Sequence, residues 1–256
     1  SSFKLFNLTV LDTFNDSLKN YSPIFSDIEK PLDLIVKLKN LNVEQLIFVG
    51  SFSRLSLQNE PIIFGDKGFR ELISENYQEG DDKLLREVAK FFEGHGFKIL
   101  GVHEVLNDIM EYKDIVLSKN QPSKMNIDDT VLAEKIFNQI SKFDLGQSVI
   151  TRNGLCMGIE TSTGTDHMIE SFGHFMKKNI TDLEKSGGIL FKACKQGQDR
   201  RFDLPTIGTE TIRLIHKVGL NGLVVEKGSV IFLDKKEVIK LANKFRIFIW
   251  SRSLSA

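Results

Sequence analysis

The sequence predicts an α/β protein made of two α/β domains, and three observations carry that prediction. Short apolar runs ending near glycine alternate with amphipathic segments at helical spacing. A polar stretch with a proline, SKNQPSKMNIDD (118–129), interrupts the pattern. Beyond it, QSVITRNGLCMGIE (147–160) has the form of a hairpin. Strands alternating with helices give a parallel sheet, whereas a hairpin adds an antiparallel pair. The first domain, 1–120, is therefore expected to be Rossmann-like with a mainly parallel sheet. A linker over 121–127 follows, and 128–256 is expected to be a mixed sheet with flanking helices.

Each element has its own justification. FKLFNLTV (3–10) reads as a strand, rich in Phe, Leu and Val and bounded by turn residues. PLDLIVKLKNLN (31–42) has apolar residues at helical spacing, and Pro31 suits a first turn. VEQLIFVG (43–50) and FKILGV (97–102) are short apolar runs of the buried-strand kind. Between them, DDKLLREVAKFFEGHG (81–96) is an amphipathic helix with acids at its start and glycines at its end. In the second domain, DDTVLAEKIFNQISKF (128–143) restarts a helix. Asn153-Gly154 supplies the positive φ angles of a tight hairpin turn. TGTDHMIESFGHFMKK (163–178) is a helix opened by threonine and aspartate. GILFKAC (188–194) is a strand, and IGTETIRLIHKVG (207–219) a helix stopped by glycine. LVVEKGSVIFL (223–233) reads as two strands around Lys227-Gly228, before a helix at 236–245 and a strand at 246–250.

Composition excludes several classes. Thirty-four basic residues balance thirty-four acidic ones, which argues against a nucleic-acid partner. No apolar run reaches the length of a membrane span, and the start lacks the pattern of a signal peptide. Two cysteines do not make a disulfide framework and fit a reducing cytoplasm. Twenty phenylalanines read first as core filling and second as the lining of an apolar ligand site. None of the five histidines joins a cysteine at zinc-finger spacing. Walker A, nucleophile-elbow and GxGxxG patterns are absent.

Three stretches are able to carry chemistry. In KQGQDRRFDLPTIG (195–208), Asp199 and Asp203 flank Arg200 and Arg201 in a loop leaving a strand end. Loops at the carboxyl ends of strands are where ligands bind in open α/β sheets. Carboxylates suit Mg²⁺ or Mn²⁺ and arginines suit phosphate. The plainer reading is a surface turn whose Asp and Arg residues pair with each other. In IETSTGTD (159–166), a strand runs through a Gly-Thr-Asp turn into a helix whose N–H groups can hold an anion. There the plainer reading is helix capping. In VGSFSR (49–54), Gly50 allows close backbone approach and Arg54 can reach a phosphate.

Taken together, these stretches resemble one family, the metal-dependent UDP-2,3-diacylglucosamine pyrophosphatases of lipid A biosynthesis, the type unrelated to calcineurin-like phosphoesterases. GDDKLLREVAKFFEGHGFKILGVHEVL (80–106) looks like its N-terminal domain. GQSVITRNG and GIETSTGTDHMI (146–169) look like the start of its C-terminal domain. GILFKACKQGQDRRFDLPTIGTETI (188–212) is the closest match, continued by GLNGLVVEKGSVIFLDKKEVI (219–239). The resemblance implies cleavage of UDP-2,3-diacylglucosamine into UMP and 2,3-diacylglucosamine 1-phosphate by water attack on the α-phosphorus. It implies a UDP-binding first domain, a lipid-handling second domain, and a cytoplasmic enzyme in transient contact with the inner membrane surface. A homodimer stays open.

Carried over by position, the matching residues are Gly164, Thr165, Asp166, Lys192, Gln198, Asp199, Arg200 or Arg201, Asp203 and Thr206. Gly50 and Arg54 match a weaker segment, where Leu55 stands in place of the usual proline. Asp203, Asp199 and Asp166 are the expected catalytic and metal-binding carboxylates, with Mg²⁺ or Mn²⁺ as cofactor. Phe172, Phe175 and Met176 are candidates for an acyl groove, with core packing as the more economical reading. The family begins with an apolar strand and a Gly-rich loop, whereas SSFKLFNLTV looks like its second strand. A chain shortened at its N-terminus is the expectation. Two rival readings are a non-catalytic binder of a nucleotide sugar or phospholipid and a nicotinamide-dependent oxidoreductase.

Overall fold

The structure, a computed structural model, describes residues 8–10, 24–26, 31–50, 81–143, 145–179 and 187–254. The chain divides into two compact units between Gly101 and Val102. In the first, strands β1 (Leu8–Val10) and β2 (Ile24–Ser26) pair in parallel. Helix α1 (Pro31–Asn40) follows, then β3 (Gln45–Ile47), helix α2 (Asp81–Gly94) and β4 (Lys98–Leu100). β3 and β4 also pair in parallel. Leu34, Ile35 and Leu38 bury one stripe of α1, and Leu84, Ala89 and Phe92 that of α2. The Phe92 ring meets those of Phe48, Phe91 and Phe97.

The second unit is built on a six-stranded mixed sheet. Its strands are β5 (Ile115–Val116), β6 (Ser148–Arg152), β7 (Leu155–Ile159), β8 (Ile189–Lys192), β10 (Gly222–Glu226) and β12 (Phe248–Arg252). They lie in the order β5-β12-β10-β8-β6-β7. The central β12, β10 and β8 run parallel, with antiparallel strands at both edges. Gly222 admits β12, because a Cβ there would sit 2.2 Å from the Phe248 ring. Asn153 and Gly154 turn β6 into β7 at φ 52° and 75°, and the buried Asp129 carboxylate accepts both of their N–H groups.

Alternation along the strands divides the core into two layers. Val149, Ile189, Phe191, Val224 and Phe248 face Ala133 and Phe137 of helix α3 (Lys124–Ile140). Ile150, Leu190, Leu223, Val225 and Ile249 face the opposite layer. That layer contains helices α4 (Gly164–Asn179), α5 (Thr209–Val218) and α6 (Lys235–Phe245). Phe172 and Met176 of α4 are buried in this layer, so they are core residues, while Phe175 is exposed. A separate parallel pair joins β9 (Thr206–Ile207) to β11 (Ile231–Phe232).

Two expectations about the domain junction differ from the structure. β5, assigned to the first domain by the 1–120 boundary, pairs with β12 in the sheet of the second unit. The Ser118 hydroxyl reinforces that join by accepting the Ile249 N–H at 2.8 Å. The stretch expected as a linker over 121–127 instead starts α3 at Lys124. Ser123 caps it reciprocally: its hydroxyl accepts the Asn126 N–H at 3.2 Å, and Asn126 Oδ1 accepts the Ser123 N–H at 3.1 Å. A polar capping box reads as loop when apolar periodicity is the criterion.

Candidate active site

Strand β8 ends at Lys192, a lysine only 6% exposed. Burial pushes its pKa down, and the carboxylates of Glu160, Asp166 and Asp203 oppose that shift. Its Nζ donates to Thr165 Oγ1 at 2.7 Å. Thr165 in turn donates to Glu160 Oε2 at 2.9 Å, and Ser148 Oγ lies 3.4 Å from the same hydroxyl. Gly164 opens α4 at φ +87°, which places Thr165 and Asp166 in its first turn.

Lys192 forms part of an open cleft of about 770 Å³. Gly164, Thr165 and Asp166 line one side, and Thr206, Gly208 and Thr209 another. The N-termini of α4 and α5 thus meet at one cleft with a buried ammonium in its wall, features that attract an anion, while the carboxylates of Asp166, Glu210, Asp234 and Glu237 line the same cleft. Leu233, Asp234 and Glu237 extend the cleft along the start of α6. Asp234 caps that helix from φ 52°, accepting the Glu237 N–H at 3.2 Å.

The loop between β8 and β9 holds the remaining candidates. Gln198 is buried and donates through Nε2 to Asp203 Oδ2. Its Oε1 accepts the Lys195 N–H at 3.2 Å and the Cys194 thiol at 3.4 Å. Gln147 Nε2 adds longer contacts to Gln198 Oε1 and Asp203 Oδ2. Arg201 pairs with Asp199, Nε to Oδ1 at 3.0 Å and NH2 to Oδ2 at 2.8 Å. The plainer reading of this turn therefore describes that pair. Arg200 NH2 donates to the Gly228 carbonyl. His103, in a helical turn over Val102–Val105, has its pKa pushed down by burial and then by Arg200. Its buried Nδ1 has no hydrogen-bond partner among the described residues.

The expected residues are thus partly assembled. Gly164, Thr165, Asp166, Lys192 and Thr206 share the cleft. Asp203 is linked to Gln198 and acts electrostatically on Lys192. Gln198 and Arg200 line a neighbouring depression of about 430 Å³ with Cys194 and Glu226. Gly50 is exposed at φ +120° in the first unit, and Arg54 lies outside the described residues. Glu160, Ser148 and Gln147 were not among the expected residues. The signal for Glu160 was its place at a strand end directly before TSTGTD.

The donor set fits a divalent cation in one form and not in another. Asp166, Asp199 and Asp203 do not form a cage: among the described residues no group of three or more His, Cys, Asp or Glu is placed to hold a metal ion. Asp199 is engaged by Arg201. Mg²⁺ commonly takes one or two carboxylates together with substrate phosphates and water. Asp166 lines the cleft, whereas Asp203 does not line it and acts on Lys192 from the adjoining loop.

Comparison with known proteins fixes the family. The LpxI N-terminal domain model matches residues 9–109 and the LpxI C-terminal domain model residues 113–250. The chain belongs to the LpxI family. It is 35% identical over 172 residues to the UDP-2,3-diacylglucosamine pyrophosphatase LpxI of Caulobacter vibrioides. The match covers 67% of this chain and 61% of that relative's length. The second family match contains the whole β6–β9 region that bears the cleft. Among the described residues, no helix is long and apolar enough to cross a membrane.

Proposed function

We propose that this chain hydrolyses UDP-2,3-diacylglucosamine to UMP and 2,3-diacylglucosamine 1-phosphate by attack of water on the α-phosphorus. The observation that carries the reading is the buried Lys192 ammonium opening on a cleft at the N-termini of α4 and α5. The chain matches both LpxI domains, which supports the reading of that cleft as a seat for a diphosphate. Negative charge accumulates on the phosphoryl oxygens in the transition state, and fixed positive groups lower its energy.

The water oxygen bonds to the α-phosphorus and releases a proton to solvent while the bond from that phosphorus to the bridging oxygen breaks. The bridging oxygen leaves with the sugar 1-phosphate. Lys192 meets the charge on the phosphates, and the α4 N-terminus adds its N–H groups. Asp203, held by the Gln198 amide, orients the attacking water. Arg200 braces the loop through Gly228. Asp203 and Asp166 would hold Mg²⁺ or Mn²⁺ with the substrate phosphates. When bound, such an ion supplies a Lewis acid and lowers the pKa of its water. A diacylated substrate places the cytoplasmic chain in transient contact with the inner membrane surface.

Hydrolysis in ¹⁸O-labelled water, with Mg²⁺ and with EDTA, tests this reading. Label in UMP is expected, and label in the sugar phosphate would overturn attack on the α-phosphorus. Lys192→Met should lower kcat by about 10²–10³-fold, the usual effect of removing one transition-state cation or donor. Tight binding of the substrate with no turnover under any metal would favour the binding-protein alternative. Co-sedimentation with anionic lipid vesicles tests the membrane contact.

A further inference from the structure

We propose that Glu160 is a positioning residue for this cleft, fixing the Lys192 ammonium through the Thr165 hydroxyl. The proposal rests on the functional reading only for the cleft's use; the relay itself stands on geometry. A threonine hydroxyl has one proton. Here that proton goes to Glu160 Oε2 at 2.9 Å. The hydroxyl's lone pairs are left for Lys192 Nζ at 2.7 Å, with Ser148 Oγ at 3.4 Å. Thr165 therefore serves as an oriented acceptor for the lysine, not as a free donor to a phosphate.

The residues of the relay come from separate segments: Ser148 from β6, Glu160 from the position directly after β7, Thr165 from α4 and Lys192 from β8. Glu160 is anchored in the backbone as well, its N–H donating to the Ser148 carbonyl at 3.0 Å. A buried ammonium needs directed acceptors and nearby negative charge to stay ionised in place. Glu160 supplies the charge and sets the direction of the acceptor. Asp166 and Asp203 add charge to the same ammonium. Without Glu160 the Thr165 proton is free to rotate, and Lys192 loses its fixed acceptor. This assigns Glu160 a role without contact to the substrate.

The test uses the full chain and Glu160→Gln, Glu160→Asp, Thr165→Val and Lys192→Met, singly and with Glu160→Gln combined with Lys192→Met. The first readout is the lysine ammonium ¹H–¹⁵N spectrum of ¹⁵N-lysine-labelled protein at mildly acidic pH. A slowly exchanging resonance lost in Lys192→Met identifies the buried ammonium. It should be lost or broadened in Glu160→Gln and Thr165→Val, and kept in Glu160→Asp. An unchanged resonance in Glu160→Gln would overturn the proposal, whatever the activity. The second readout is hydrolysis. Glu160→Gln should lower kcat roughly 10-fold with little change in KM, and cost nothing further on the Lys192→Met background, since residues acting through one group are not additive. Additive losses would overturn the proposal. If the unaltered chain does not turn over UDP-2,3-diacylglucosamine, the functional reading falls, while the ammonium spectrum still decides the role of Glu160.

Discussion

The guanidinium of Arg201 grips the carboxylate of Asp199, two residues before it, through Nε at 3.0 Å and NH2 at 2.8 Å. The Arg201 N–H also reaches Asp199 Oδ1 at 3.0 Å. This is a clamp that closes the loop on itself, so Asp199 shapes the loop bearing Asp203. Asp199→Asn should therefore cost about 0.5–1 kcal/mol of stability, as for a part-exposed ion pair. Its effect on kcat should be smaller than that of Asp203→Asn. Thermal unfolding and steady-state hydrolysis of the two variants check the ranking. A greater loss of turnover in Asp199→Asn would give Asp199 a direct role.

Gln198 joins the loop to Asp203 from the inside. Its buried amide serves Asp203 through nitrogen, and the Lys195 N–H and Cys194 thiol through oxygen. Leucine has a similar volume but leaves those groups without this partner. Gln198→Leu should destabilise the protein by about 1–3 kcal/mol, the cost of unsatisfied buried polar groups. Turnover should fall with it, because Asp203 loses a directing donor. Denaturant unfolding and kcat measured on the same preparation separate the two effects.

The two thiols should differ sharply in reactivity. Cys194 is held up to about 11 by burial first and the Glu226 carboxylate second, while Cys156 is exposed on β7. The thiolate is the reactive form. Alkylation of the folded protein at neutral pH should label Cys156 first and leave Cys194 unmodified until the protein unfolds. Peptide mass spectrometry over a time course reads this directly.

The longer elements were legible because their residues carry a period. β8, β10 and β12 appear as continuous apolar runs, as strands buried on both faces must. α5 shows its apolar stripe and its glycine stop at Gly219, φ 78°. The short elements were not legible. Ile207 reads as the start of a helix, yet Thr206–Ile207 pairs in parallel with Ile231–Phe232, and two residues are too few to show alternation. In the site, GTD and the QDRRFD loop stood out by composition. Gln147, Ser148 and Glu160 did not, because each is a single polar residue beside or within a strand. Their importance comes from the register that brings β6, β7 and β8 side by side.

Acid should weaken the edge of the second unit through one carboxylate. Asp114 accepts from Lys227 Nζ at 2.7 Å and from the Ser253 N–H and hydroxyl. These contacts, the Lys227 hydrogen bond foremost, lower its pKa from 3.8 to about 2. A depressed folded-state value stabilises the fold above the ordinary carboxylate range, and the gain is lost as pH falls through the folded value. The unaltered protein should lose this contribution between pH 3.8 and about 2. Asp114→Asn should flatten the pH dependence of stability in that window, as seen in urea midpoints across it.

Gly146 tests the backbone seat of the Glu160 relay without altering its polar side chains. A Cβ at Gly146 would lie 2.2 Å from the Glu160 carbonyl oxygen and 2.7 Å from its Cβ. These are not flexible side-chain ends, so the strand end must move. Gly146→Ala should cost about 1–3 kcal/mol, as overpacking generally does. The displacement falls on the residue that holds Thr165, and through it Lys192. Turnover should therefore drop even at temperatures where the variant is fully folded. Gly222→Ala, which drives a methyl into the Phe248 ring, supplies the control. It should lose comparable stability while keeping its turnover when folded. Equal losses of turnover in the two folded variants would mean that core packing, and not the seat of Glu160, sets the geometry of the cleft.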